Sequence, residues 1–284
     1  MPVMSPSIAG LVLLAALLHA TWNALAKSSG EPQFSIASFR LVSAICCIPL
    51  LFVFPLPLAQ SWPLLVASVL LHTAYYVTLS MSYRVGDLSQ VYPLFRGLAP
   101  VLVVFGAAFF AGEWLSLNSM IGIGLVSLGL MSITFTGGRL GKIPRPALRW
   151  GLATSFLIAA YTVADGVGVR LAGNPFSYIV WLFLLEPVPV ALWLLARNRT
   201  AWFQYMGSKP AQISGGALAA AGAYAMVIYA MSVAPLAMVS SLRETSVIFA
   251  ALIGTLLFRE PFGRQRISAA VIVCIGVVII KLLG

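Results

Sequence analysis

The chain has 284 residues, of which 61% are hydrophobic and 8% charged, with a mean hydropathy of +0.99. Such a chain lacks the polar coat of a soluble domain, so its composition excludes soluble and disordered classes and indicates a polytopic membrane protein. The net charge of +10 does not indicate nucleic acid, because the basic residues punctuate apolar runs, as positive loops between spans do.

Ten apolar runs have the length that a bilayer core demands: Ser7 to Ala26, Gln33 to Phe54, Trp62 to Tyr83, Leu88 to Ala111, Leu117 to Thr136, Trp150 to Val169, Phe176 to Ala196, Ala211 to Ser232, Leu236 to Phe258, and Ile267 to Leu283. Turn-forming or charged stretches separate them, among them SSGEP, FPLPLAQSWP and GGRLGKIPRP. No basic segment precedes the first run, which is expected to remain in the mature protein. Cys46, Cys47 and Cys274 lie inside apolar runs without metal-ligand spacing and read as small buried hydrophobes.

The fourth run carries Arg96 near its centre, where an uncompensated guanidinium costs about 2.5–3.5 kcal/mol on insertion scales. Pro93 and Pro100 remove backbone donors nearby. A helix of this kind is expected to face a cavity. The same segment occurs twice: an ungapped shift of 147 positions sets Arg96 on Arg243, Gly112-Glu113 on Arg259-Glu260, and Gly129 on Gly276. A shift of 142 sets Asn23 on Asp165 and Phe34-Ser35 on Phe176-Ser177, so the second half holds about five extra residues, which the RNRTAWFQYMGSKP loop can accommodate.

The duplication divides the chain into a first five-helix repeat, residues 1–136, a basic linker, 137–146, and a second repeat, 147–284. Five is odd, so the repeats are expected to sit inverted in the membrane, with a substrate site between them near the midplane. The fold class is all-α, with ten transmembrane helices as two inverted five-helix repeats around a central cavity. Twelve basic residues lie in connections after odd-numbered spans, against Arg170 and Lys281 on the other side. The positive-inside rule then places both termini outside the cytoplasm.

Candidate cavity residues follow from polar groups that must avoid lipid. His19, Trp22 and Asn23 share one face of the first span, and Tyr161 and Asp165 one face of the sixth. His and Asn there suit interhelical hydrogen bonding as well as ligand contact, whereas the Asp165 carboxylate must find a partner or a proton. His72, Tyr76 and Tyr83 form a stripe on the third span, with Tyr224 in the comparable region of the eighth. Glu186, midway along the seventh span and followed by Pro187 and Pro189, reads either as an ammonium-binding or protonatable site or as the partner of an arginine. Arg96 and Arg243 either grip a carboxylate or phosphate or tie the repeats together. Glu244 beside Arg243 is poorly aimed for an intrahelical pair, and Arg40, close to a span end, reads as snorkelling. The expected binding set is Trp22, Asn23, His72, Tyr76, Arg96, Tyr161, Asp165, Glu186, Tyr224 and Arg243.

The runs YRVGDLSQVYPL, LAPVLVVFGAAFFAGEWLS and SLRETSVIFAALIGTLLFREPF resemble the duplicated domain of EamA-type proteins in the drug/metabolite transporter superfamily, over nearly the whole chain. In both halves a helix ends in a glutamate, Glu113 or Glu260, and a short turn. The resemblance implies a ten-helix carrier of a bacterial inner membrane, with the first four helices of each half around the cavity and the fifth and tenth outside it. It also implies cytoplasmic termini, against the charge count.

The function expected is a secondary transporter exporting small metabolites, foremost amino acids, by alternating access. The alternative is multidrug or cationic-compound efflux. An intramembrane enzyme is disfavoured, since neither HExxH, GxSxG nor a phosphate loop occurs. The expected partners are the bilayer, a small-molecule substrate and, as a candidate coupling ion, the proton. No nucleic acid, cofactor or metal is expected, and the chain is read as a monomer.

Overall fold

The structure, a computed structural model, describes residues 4–85, 88–134, 144–258 and 264–282. The linker residues 137–143, Asp87, Arg259 and Glu260, and the side chain of Tyr83, lie outside what is described. The described residues form twelve α-helices: α1 (Pro6–Ser28), α2 (Pro32–Cys47), α3 (Trp62–Val85), α4 (Leu88–Ala111), α5 (Leu117–Thr134), α6 (Arg145–Leu171), α7 (Pro175–Leu185), α8 (Val188–Ser208), α9 (Pro210–Val233), α10 (Leu236–Arg243), α11 (Ser246–Phe258) and α12 (Arg264–Leu282).

Local sequence sets the helix ends. Ser5 precedes Pro6, and its hydroxyl accepts from Ile8 N at 3.3 Å; Asn174 precedes Pro175 and accepts from Phe176 N at 2.9 Å. Each pairs a side-chain acceptor with a proline at the first helical position, where no donor is missed. At the other end, Gly112 (φ 65°) follows α4 and Gly173 (φ 77°) closes α6 in left-handed backbone that a side chain would strain.

Two of the ten expected spans are each divided. The seventh breaks at Glu186-Pro187 into α7 and α8, where the proline has no N–H to continue the ladder. The ninth breaks between α10 and α11 with no proline: Glu244 N and Thr245 N turn back to Ser241 O and Leu242 O at 3.1 Å, tightening the helix into i→i−3 bonds. Two expectations are corrected at the edges. The sixth helix begins at Arg145, so Arg145 and Pro146 of the expected linker are helical. The expected span ending at Ala196 continues to Ser208, and a kink at Asn198 (φ −137°, ψ 31°) turns part of the expected long loop into helix. There Trp202 and Tyr205 are buried against α2, with Trp202 Nε1 donating to Ser38 Oγ at 3.0 Å.

The helices arrange as ten membrane crossings. The start of α1 and the end of α12 reach one face, where Lys281 Nζ donates to Met4 O at 2.7 Å, as an even number of crossings requires. The inversion is visible where α5 packs along α12. A Cβ on Gly122 would meet Gly276 O at 2.8 Å, and one on Gly129 would meet Ala269 O at 3.1 Å. The two helices therefore run antiparallel. Under the 147-residue shift Gly122 becomes Ala269 and Gly129 becomes Gly276, so each contact is the other's image. An antiparallel interface that maps onto itself in this way fits two halves related by an axis in the membrane plane. Large apolar side chains such as Phe105, Phe109, Leu70 and Leu218 face outward, while serines, arginines and carboxylates are buried, the inverse of a water-soluble domain.

Candidate functional site

Two polar clusters occupy the interior. The first gathers on Glu186 at the α7–α8 break. Arg40 of α2 pairs with Glu186 Oε1, which also lies 3.5 Å from Tyr76 Oη and 3.7 Å from His72 Nε2. The Arg40 guanidinium rests 4.5 Å above the Tyr76 ring, an attractive stacking of cation on π-face. This corrects the expectation that Arg40 snorkels: eight residues into α2, or about 12 Å along the helix, it turns inward to the Glu186 carboxylate. Arg40, Ser43, Phe183, Glu186, Ala220 and Tyr224 border a cavity of about 40 Å³, room for about one or two waters.

Aromatic rings connect this pair to Asp165. His72 stacks on Tyr161 at 4.0 Å between centroids and meets Tyr224 edge-on at 5.6 Å, and its Nδ1 lies within bonding distance of Ser68. Asp165 is fully buried and receives two phenolic donors: Tyr178 at Oδ1, 3.0 Å away, and Tyr224 at Oδ2. Tyr178 reaches it because Gly168, one turn along α6, has no side chain; a Cβ there would lie 2.6 Å from the Tyr178 ring. Two donors on one carboxylate supply the compensation that a buried carboxylate needs.

The second cluster sits at the α10–α11 break. Arg96 of α4 brings Nε to 2.8 Å from Glu244 Oε2 and donates through Nη2 to Ser246 Oγ at 3.3 Å. Arg243 Nη2 lies 3.6 Å from Glu244 Oε1. Glu244 is fully buried and both arginines are 3% exposed. No hydrogen bond forms across that contact, in keeping with the expectation that Glu244 is poorly aimed for an intrahelical pair with Arg243.

Of the expected set, the structure joins His72, Tyr76, Tyr161, Asp165, Glu186 and Tyr224 in one connected group and Arg96 with Arg243 in the other. Trp22 and Asn23 stand apart from both. The Asn23 amide donates to His19 O of its own helix at 2.7 Å, and Trp22 packs edge-on against His19 at 5.1 Å. Sequence reasoning missed Arg40, Tyr178 and Glu244. The available signal was charge balance, since a mid-span glutamate and two mid-span arginines each require a counter-charge.

A third ionic group lies on the face that carries the termini. Glu113, just past α4, takes Arg170 at 2.7 Å and accepts from Leu236 N, the first residue of α10, at 2.8 Å. Arg170 also donates to Met231 O and Ala234 O, both at 2.8 Å. The group borders a hollow of about 560 Å³ with Trp114, Ser116, Ser232 and Met238. Among the described residues no cluster of His, Cys, Asp and Glu is arranged to hold a metal ion.

A family model described as the EamA-like transporter family matches the chain twice, over residues 6–135 and 145–282. A protein of known crystal structure superposes with a TM-score of 0.78 at 19% identity, covering 98% of each chain. That likeness is one of fold. No curated protein matches the sequence.

Proposed function

The chain belongs to the EamA-like transporter family, and on that premise we propose that it is a secondary carrier exporting small amphiphilic metabolites, foremost amino acids, across a bacterial inner membrane. The observation that carries this reading is the placement of the two polar clusters. Each is centred on a carboxylate at the break of a discontinuous helix, Glu186 between α7 and α8 and Glu244 between α10 and α11. Interrupted helices holding charge at mid-depth are how repeat-built carriers form substrate and ion sites, with freed backbone dipoles facing the cargo. The ring group of Tyr75, Tyr76, Tyr161 and Tyr224 supplies an amphipathic wall for a side chain.

Alternating access is supported by a departure from symmetry. α2 packs along α9, whereas the repeat-equivalent approach of α7 to α3 is slight. Two repeats of one sequence pattern in unequal arrangements are what a carrier exchanges between its states. The small cavity at the Arg40–Glu186 pair, with His72 beside it, is where a coupling proton would act: protonation of Glu186 would release Arg40.

The binding set in this reading is His72, Tyr76, Arg96, Tyr161, Asp165, Glu186, Tyr224 and Arg243, with Trp22 and Asn23 as an outer wall. Cationic-compound efflux is the second reading, favoured by the cation already held on the Tyr76 face. The test is purified protein in liposomes loaded with radiolabelled amino acids, sugars and quaternary ammonium compounds, with and without a pH gradient. Accumulation or counterflow of amino acids supports the first reading; flux of the ammonium compounds alone overturns it.

A further inference from the structure

Arg96 and Arg243 are equivalent under the 147-residue shift, yet their surroundings are not. Arg96 meets Glu244 and Ser246 of the other half. The positions that should serve Arg243 in return are 97 and 99, and they hold Gly97 and Ala99. Gly97 cannot carry a larger group: a Cβ there would lie 2.6 Å from the Met131 side chain and 2.9 Å from Ser127 O. Arg243 is left 3% exposed, with Nε and Nη2 buried and donating to no protein acceptor among the described residues. Its one ion pair there is the long contact to Glu244 Oε1 at 3.6 Å, across which no hydrogen bond forms, while the other oxygen of that carboxylate faces Arg96 Nε at 2.8 Å.

Among the described residues this cluster of two arginines and one glutamate therefore holds one more positive than negative charge. A buried guanidinium with idle donors is costly unless an acceptor meets it. Among the described residues the other buried or half-buried carboxylates near the helix breaks and ends are committed: Glu186 to Arg40, Asp165 to Tyr178 and Tyr224, and Glu113 to Arg170 and Leu236 N. We propose that Arg243 anchors a carboxylate of the cargo, so that the site selects carboxylate-bearing molecules and treats an ammonium group as secondary. The inference rests on the carrier reading above and narrows its substrate class. The guanidinium fork suits two carboxylate oxygens side by side.

The test uses the full chain in detergent and in liposomes, with leucine, leucinamide, isoamylamine and isocaproate, and with phenylalanine, phenylalaninamide, phenethylamine and hydrocinnamate. Binding is read by calorimetry and transport by counterflow. The amino acids and the two carboxylates without an amine should bind about ten- to a hundredfold more tightly than the amides and amines, the worth of a charge-assisted hydrogen bond. Arg243→Gln should abolish that preference, and Arg243→Lys should retain part of it. Equal binding of acids and amides overturns the anchor and leaves the carrier reading intact, as does an Arg243→Gln protein that melts normally and keeps the preference. Should that variant fail to fold, the acid and amide comparison on the wild type decides alone. Absence of binding and flux for all eight compounds overturns the anchor and the amino-acid reading together.

Discussion

Arg40 and Glu186 stand 146 positions apart in the sequence and form one ion pair between the second and seventh spans. The pair joins the two repeats beside a helix break, and the Arg40 guanidinium lies 4.5 Å above the Tyr76 ring.

Glu186→Gln removes the charge and keeps the shape, leaving Arg40 without its counter-ion. Breaking a fully buried pair costs about 3–5 kcal/mol, but Arg40 retains 24% exposure of its side chain, so a smaller loss is expected. The double variant Arg40→Gln/Glu186→Gln should melt higher than Glu186→Gln alone, and transport should be lost in both. A single variant that melts and transports like wild type would remove the pair from the mechanism.

Tyr178→Phe and Tyr224→Phe each withdraw one donor from Asp165. Hydrogen bonds to charged groups contribute about 1.5–3 kcal/mol each, so each single variant should lower the unfolding midpoint. Adding Asp165→Asn to the double phenylalanine variant should restore part of the loss, because a neutral amide is easier to bury than a bare carboxylate. No gain on that addition would mean the tyrosines act through packing alone.

Glu113 performs two tasks, pairing with Arg170 and capping α10 through Leu236 N. Glu113→Gln keeps an acceptor for the cap and loses the ionic pair; Glu113→Ala loses both. The alanine variant should be the less stable by about 1 kcal/mol, the usual worth of an N-terminal cap, measured by thermal melting in matched detergent. Identical melting of the two variants would show that the cap contributes nothing.

Gly276→Ala should destabilise the α5–α12 contact by about 1–3 kcal/mol, since the added Cβ would lie 2.6 Å from the Gly122 carbonyl oxygen, a backbone atom with nowhere to move. Gly124→Ala on the same helix pair is the control. Nothing lies within 4 Å of its Cβ, and the better helix propensity of alanine should leave it neutral or raise stability slightly. Equal effects of the two substitutions would contradict the close packing.

The sequence alone determined the ten crossings, the duplication and the inward polar residues, because a bilayer imposes a minimum apolar length and forbids lipid-facing charge. It also located the Glu186 break, since proline has no N–H to give a helix. Tertiary structure decided what could not be read locally. The partners of Glu186, Asp165 and Arg96 come from helices far away in sequence, and which side chain reaches them depends on helix rotation and close approach, as at Gly168 and Tyr178. Arg40 was misread for that reason: its position near a span end fits either snorkelling or inward pairing, and only the placement of α2 against α7 selects one. The break at Glu244 carries no proline, and the extension of α8 past Ala196 depends on burying Trp202 and Tyr205 against α2. The unequal fates of Arg96 and Arg243 likewise needed the fold, because equivalence under a sequence shift says which residues correspond, and only packing of one repeat against the other says which of them finds an acceptor.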